Sequence, residues 1–335
     1  MSAEKDTTAP KSNAVRPPSF WRRFGLQLGI WSVGIVMWLA FVALAPSAFM
    51  HKGIYLAFAS TTPIFALMAI PLTLVVITGE IDLSFPSIMA LSTCAFSEAA
   101  QSGLSIWLSL VIGLALGFLC GLINGYLVTK FNLPSLVITI GTQFLFLGID
   151  LAWTNGSGVD LTPAKYNTID KILVGRTFGG VANQFWWAVL VTILLWFLLN
   201  RTRFGSHVFL TGDNKISAQL MGVNIKRIKI FTFAILGSCA ALAGMIGSFE
   251  VSFFWPTMGG GLLLNSVAAV FLGGTSVFGG TGSVVGTFVG AFIIGAINAG
   301  IVAAGVNAFY TQIFFGLVII VSVIMQAIIS KRIKK

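Results

Sequence analysis

The chain has 335 residues, of which 56% are hydrophobic and 9% charged, with a formal net charge of +10. Soluble domains carry about a quarter charged residues, so a soluble enzyme and a soluble nucleic-acid binder are both excluded. Runs of about twenty apolar residues recur along the whole length without ten-residue alternation, which indicates an all-helical polytopic membrane protein and not a barrel.

Ten spans are predicted, at 26–45, 54–77, 85–101, 104–129, 135–154, 184–200, 230–253, 263–278, 283–303 and 308–329. They divide the chain into a tail (1–25), a transmembrane domain (26–330) and a short tail (331–335). With the N-terminus inside, cations gather on one side. Lys5, Lys11, Arg16, Arg22 and Arg23 precede the first span, and Lys130 follows the fourth. Arg201, Arg203, Lys215, Lys226, Arg227 and Lys229 follow the sixth, and Lys331, Arg332, Lys334 and Lys335 close the chain. The outside keeps Lys52, Lys165, Lys171 and Arg176. This positive-inside bias places both termini in the cytoplasm.

Residues 1–25 are polar, with Pro10, Pro17 and Pro18, and Trp21-Arg22-Arg23 marks an interface. The small-residue site Ala43-Leu44-Ala45 is followed by Pro46, so the first span reads as retained rather than as a cleaved signal peptide. The second span carries Pro63 and Pro71 and runs into Thr78-Gly79-Glu80-Ile81-Asp82-Leu83-Ser84. Two readings stay open there. Asp82 and Ser84 either cap the next helix ahead of Phe85-Pro86, or belong to a broken helix lining a pathway or gate.

The fourth span has Gly113, Gly117, Gly121 and Gly125, a stripe that lets a neighbouring helix approach closely. The ninth repeats it with Gly282, Gly286 and Gly290. Phe118-x-x-Gly121-x-Ile123-Asn124 matches Phe292-x-x-Gly295-x-Ile297-Asn298, and Thr142-Gln143-x-x-Phe146 matches Thr311-Gln312-x-x-Phe315. Because the two copies cross in opposite directions, an inverted internal repeat is expected, as in transporters. Asn124 and Asn298 thus occupy matched positions, either packing helices together or lining the pathway.

Residues 155–183 form the long outside loop, with a short amphipathic helix expected over 163–174 and a surface for an external partner. Glu250 stands near the outer end of the seventh span beside Phe253-Phe254-Trp255-Pro256, placed either to bind solute or to reach water. Leu272 to Ser283 is rich in glycine but lacks the Lys of a phosphate loop, so it reads as a break between two short helices. Cys94, Cys120 and Cys239 fall in separate spans without metal or redox spacing and read as small apolar packers. His51 and His207 fall in loops, which leaves no set of groups for an intramembrane enzyme and no metal site.

The inside segment 201–229 is a candidate coupling loop. Asn214 is placed to cap a short helix, Lys215 to Met221, after a turn at Gly212-Asp213, and Gly222 to end it. Ile216, Leu220 and Met221 would enter a partner's groove.

Three of these segments resemble ribose-type ABC importer permeases. Thr78 to Ser84 is similar to their T-G-G-I-D-L-S stretch. Phe204-Gly205, Gly212-Asp213-Asn214-x-x-x-Ala218 and Gly222-Val223-Asn224 are similar to their cytoplasmic loop. Val270 to Ser276, with Gly279-Gly280 and Gly282, is similar to their eighth-span signature. Glu80 stands where the family has a second Gly, Phe85-Pro86 replaces a small residue and Gly, and Ser206 stands where Arg is frequent. The resemblance covers about residues 25–330 and implies a permease subunit in the cell inner membrane. It would pair with a second permease subunit, identical or related. A cytoplasmic ABC ATPase carrying ATP and Mg would dock on the loop through Gly212, Asp213, Asn214, Ala218, Gly222 and Asn224. A periplasmic or surface-anchored solute-binding protein would deliver the cargo, most often a monosaccharide. This chain itself would bind no cofactor and no nucleic acid. Asp82, Asn124, Glu250 and Asn298 are the candidate pathway residues. The competing readings are an ion-coupled secondary transporter, for which Glu98, Asp150 and Glu250 are the few ionisable candidates, and an importer of a non-sugar solute such as a furanone-like signalling molecule.

Overall fold

The computed structural model describes residues 32, 34–43, 45–162, 168–303, 305, 307–313, 315–317, 319–321 and 324. The tails 1–25 and 331–335, with Trp21-Arg22-Arg23, lie outside the described residues, as do 163–167 of the expected amphipathic helix and much of the last predicted span.

The chain is helical almost throughout. In order come α1 (Gly34–Ala43), α2 (Pro46–Phe49), α3 (Lys52–Ile77), α4 (Phe85–Gln101), α5 (Ile106–Phe131) and α6 (Ser135–Thr154). After β1 (Val159–Asp160), α7 (Thr168–Val174), β2 (Arg176–Thr177) and β3 (Val181–Ala182) follow α8 (Asn183–Arg201), α9 (Arg203–Asp213), α10 (Lys215–Leu220) and α11 (Ile225–Val251). The rest is β4 (Phe253–Phe254), α12 (Leu262–Leu272), α13 (Val284–Ala303) and α14 (Thr311–Val321), the last running across residues outside the description. Among the described residues, six helices are long and apolar enough to cross a membrane: α3, α5, α6, α8, α11 and α13. At 17 residues α4 falls just below that length, and α12, with 11, falls well below it.

The predicted edges of α4 and α6 coincide with the structure, but two others move for local reasons. The span expected over 263–278 is a helix only to Leu272, because Gly274 takes a positive φ of 82° and the glycine-rich segment turns away. The span expected from 230 begins at Ile225, because the Asn224 side chain accepts the Arg227 N–H at 3.1 Å and starts the helix early.

Helix α3 is the axis of the molecule. It is buried without interruption from Phe65 to Ile77 and is tied to its neighbours by polar contacts: Thr73 meets Thr287 of α13 at 2.6 Å, and Ser266 of α12 donates to the Phe65 carbonyl at 3.2 Å. Around it, α5, α6 and α8 turn large apolar side chains outward, among them Trp107, Val111, Phe144, Leu145, Ile193 and Phe197. Such a girdle is what lipid tails solvate.

The glycine stripes face other backbones. A Cβ on Gly117 would stand 2.6 Å from the Gly237 carbonyl oxygen of α11, and one on Gly125 would stand 2.6 Å from the Ile230 Cα. Gly121 abuts the Phe233 carbonyl of α11, and Gly113 turns to Ser92 and Phe96 of α4. On α13, Gly290 approaches the Ala269 carbonyl of α12 and Gly286 approaches Gly273, whereas Gly282, expected in the same stripe, lies in the turn before α13 and meets the Ile77 side chain. Without a hydrophobic force between helices in lipid, such close backbone packing is a main source of association.

In the segment between α6 and α8, β1 pairs antiparallel with β4, Val159 opposite Phe254 and Asp160 opposite Phe253. This ties the loop to the end of α11. The Thr162 hydroxyl and N–H both donate to Asp160 and hold its carboxyl below the usual carboxylate range. The described part of the amphipathic helix, α7, buries Ile169 and Leu173.

Replacing Gly117 with Leu should force α5 from α11 and cost about 1–3 kcal/mol or more. The thermal midpoint of the detergent-solubilised chain should fall, whereas Gly141→Leu, at a glycine with open space beside it, should leave it unchanged.

Candidate functional site

The segment 201–229, expected as a loop with one short helix, is a compact helical hairpin. Thr202 opens α9 by accepting the Gly205 N–H at 3.3 Å, and Gly205 lies so close to the Leu199 carbonyl that a side chain would not fit. Gly212 and Asp213, read from the sequence as a turn, are the last residues of α9. A hairpin turn alone does not require glycine there. The close approach described below does.

Asn214 is the hinge between the two helices. Its N–H bonds the Leu210 carbonyl and closes α9, while its side chain accepts the Ser217 N–H at 3.0 Å and opens α10. Ala218 is fully buried, whereas Ile216, Leu220 and Met221 are 72%, 85% and 59% exposed. Gly222, with φ +79°, ends the unit as the Val223 N–H returns to the Ala218 carbonyl at 3.0 Å. Lys226, Arg227 and Lys229 then belong to the first turns of α11.

The three segments that carry the family resemblance meet at one place. The Gly280 N–H donates to the Ile77 carbonyl at 2.9 Å. A Cβ on Gly212 would overlap that same carbonyl and stand 2.6 Å from the Gly280 nitrogen. A Cβ on Gly279 would stand 3.0 Å from the Gly79 Cα. The end of α3, the end of α9 and the glycine-rich turn before α13 therefore touch backbone to backbone.

Residues 78–84 leave α3 and cross to α4 without helical structure. The Ile81 N–H donates to the Ser135 hydroxyl of α6 at 3.0 Å. Asp82, fully buried, accepts both the N–H and the hydroxyl of Ser84 at 2.7 Å. Ser84 in turn accepts from the Asn124 side chain at 2.6 Å. The Ser84 side chain therefore makes no cap to α4, correcting that reading, because Asp82 and Asn124 use it instead. Glu80, also buried, is ion-paired with Lys229 of α11 and stands 3.8 Å from Lys215 of α10. Sequence reasoning missed this cluster. Its only signal was a charged residue in place of glycine beside a cation-rich segment.

A cavity of about 670 Å³ lies at the opposite end of α3. It is lined by apolar residues of α3, α12 and α13, by Trp255 and Met258, and by the polar groups Thr61, Glu250, Asn265 and Asn298. Two of the four candidate pathway residues are thus brought together here. The other two, Asp82 and Asn124, are fully buried and do not line this cavity. Glu250 accepts from Ser60 of α3 and Gln184 of α8, each at 2.5 Å. Gln184 was not singled out in the sequence, where a polar residue beginning an apolar span was its one mark. Of the other ionisable candidates, Glu98 is half-buried near the end of α4, and Asp150 is buried in α6 against Cys94.

This architecture, a bundle of apolar spans around broken segments with a cavity at one end and a cation-rich helical hairpin at the other, defines a membrane permease. The family described as branched-chain amino acid transport system / permease component matches residues 54–323, and the chain belongs to that family. It is 32% identical over 264 residues to the ribose import permease protein of Escherichia coli (strain K12), covering 78% of this chain and 82% of that one. It is 34% identical over 235 residues to the autoinducer 2 import system permease protein of Salmonella typhimurium (strain LT2), covering 70% of this chain and 67% of the relative. The likeness is to sugar-type ABC importer permeases. No solved structure matches the chain.

The junction makes a local prediction. Gly212→Val should push α9 off the end of α3 and break the bond from Gly280 to Ile77. Amide hydrogen exchange at Gly280 should rise by about fivefold or more, as expected if a hydrogen bond worth about 1 kcal/mol or more is lost, while exchange in α5 stays unchanged.

Proposed function

We propose that this chain is the membrane subunit of an ATP-binding-cassette importer that moves a small polar solute, a monosaccharide, into the cytoplasm. ATP and Mg are bound and consumed by a separate cytoplasmic ATPase. A second permease subunit completes the pathway in the inner membrane, and a solute-binding protein delivers cargo at the outer face. The observation that carries this reading is the position of α10. It presents Ile216, Leu220 and Met221 to solvent while α9, just before it, touches the break after α3.

The cation distribution supports a cytoplasmic α10 and a cavity facing outward. A helix of six residues is too short to be stable alone, so its capped ends and its seat on Ala218 hold it ready for a partner groove. Closure of the ATPase pair then displaces α9 and α10 as a unit. The junction passes that displacement to residues 78–84 and 273–283, and the rigid spans convert it into inward or outward opening. The inverted repeat expected from the sequence supplies two related halves for such rocking.

Glu250 gives the cavity a negative charge held by neutral donors, which suits a neutral solute with hydroxyl groups and disfavours an anionic one. The relative named for autoinducer 2 import favours a second solute reading, a furanone-like molecule. The lining, apolar with a few polar groups, accommodates either. Uptake of labelled D-ribose in competition with autoinducer 2 decides between them: the sugar reading expects ribose uptake that excess autoinducer 2 leaves intact.

Orientation is tested by labelling. Asp213→Cys should react only with a reagent supplied from the cytoplasm and Thr168→Cys only from outside; the reverse pattern ends the model. For α10, Ala218→Asp buries a charge under the helix and should abolish co-purification of the ATPase subunit, with membrane insertion unchanged. Retained co-purification and full ATP hydrolysis would remove α10 from the coupling role.

A further inference from the structure

We propose that Glu80 is a positioning residue that links α10 to the broken segment 78–84 through one shared carboxylate oxygen. This deepens the functional reading above and rests on α10 being the ATPase contact. Oε1 of Glu80 takes the Lys229 ammonium of α11 as a hydrogen-bonded ion pair, and the Lys215 ammonium of α10 stands 3.8 Å from the same atom. The two cations differ in setting. Lys229 is 6% exposed, so its pairing with Glu80 is the compensation that lets both charges sit out of water. Lys215 has a side chain 58% exposed, so its attraction is weak and easily exchanged for water. The buried pair is therefore the fixed part and Lys215 the movable part.

The placement gives this a mechanical meaning. Lys215 is the first residue of α10, directly after the Asn214 hinge. Glu80 lies within the break, one residue before Ile81, whose N–H is held by Ser135 of α6. A displacement of α10 changes the Lys215–Glu80 separation first, and the change in field acts on a carboxylate that is part of the break. Glycine at this position, as in the permeases the segment resembles, supplies no such charge. The link is thus a property of this chain's Glu80, Lys215 and Lys229 together.

The test uses the full chain assembled with its ATPase subunit in nanodiscs. Ile81→Cys, at a half-buried position in the break, is labelled with a maleimide in the absence of nucleotide and after trapping with ATP and vanadate. The expected nucleotide-dependent change in rate is about tenfold, an ordinary size for coupling between sites. Lys215→Met leaves the buried pair intact and should remove most of that change, as should Glu80→Gln. Combining Glu80→Lys with Lys229→Glu rebuilds the buried pair with reversed sign but sets Lys215 against a cation, so the response should stay lost. Adding Lys215→Glu to that pair should restore it. A full response in either Lys215→Met or Glu80→Gln overturns the proposal, and so does recovery in the double exchange alone, because only the buried pair would then matter. A reference complex whose rate ignores nucleotide overturns it too, since the break would not follow the ATPase. A chain that recruits no ATPase subunit overturns the functional reading itself.

Discussion

The carbonyl oxygen of Ile77 ends the central helix and faces two other segments at once. It accepts the Gly280 N–H and has Gly212 packed against it. A side chain at position 212 would overlap the Ile77 carbonyl, and the glycine-rich turn, the end of α9 and the end of α3 could not share one point. Everything at that end of the molecule is placed relative to this contact. The α9–α10 hairpin is positioned by it, the break at 78–84 starts from it, and the turn leading into α13 closes on it.

A membrane protein that interrupts its helices must satisfy the backbone and side-chain polar groups it exposes. Here the protein itself supplies most of those partners, leaving one carboxylate oxygen of Asp82 and the amide oxygen of Asn124 without one. The break after α3 is surrounded by α4, α5, α6, α10 and α11, and its polar residues find partners in the serine hydroxyls, in Asn124 and in Lys229. Leaving one such buried partner unpaired costs about 1–3 kcal/mol, so the network that makes the break possible also restricts its shape. Asp82 and Asn124 belong to this supporting network. Glu250 belongs to the cavity, where its carboxylate is oriented by Ser60 and Gln184 and still faces open space.

Much of this was legible in the sequence, and the reasons are particular. Apolar length located α4 and α6 to the residue, since both are bounded by polar or proline-containing turns. Asn214 and Gly222 declared the ends of α10 because capping and left-handed termination depend on the nearest few residues. What the sequence did not reveal depends on distant contacts. Helix α9 was hidden because Gly212 and Asp213 look like turn residues until the neighbouring backbones are in view. Asn124 and Asn298 looked equivalent by their matched surroundings, yet one bonds Ser84 and the other lines the cavity. The grouping of Glu80 with Lys215 and Lys229 joins residues 149 positions apart, beyond the reach of any local rule.

The glycine stripe of α5 limits how the molecule can change shape. With Gly117 and Gly237 in reciprocal backbone contact and Gly121 and Gly125 continuing the seam, sliding or splaying α5 against α11 would lose close packing along several turns at once. The two helices therefore translate and rotate as a single strut, α11 carrying Lys229 near one end and Glu250 near the other. A tilt of this strut about its middle would move the ion pair at one end and the cavity carboxylate at the other in opposite directions, like the two arms of a seesaw.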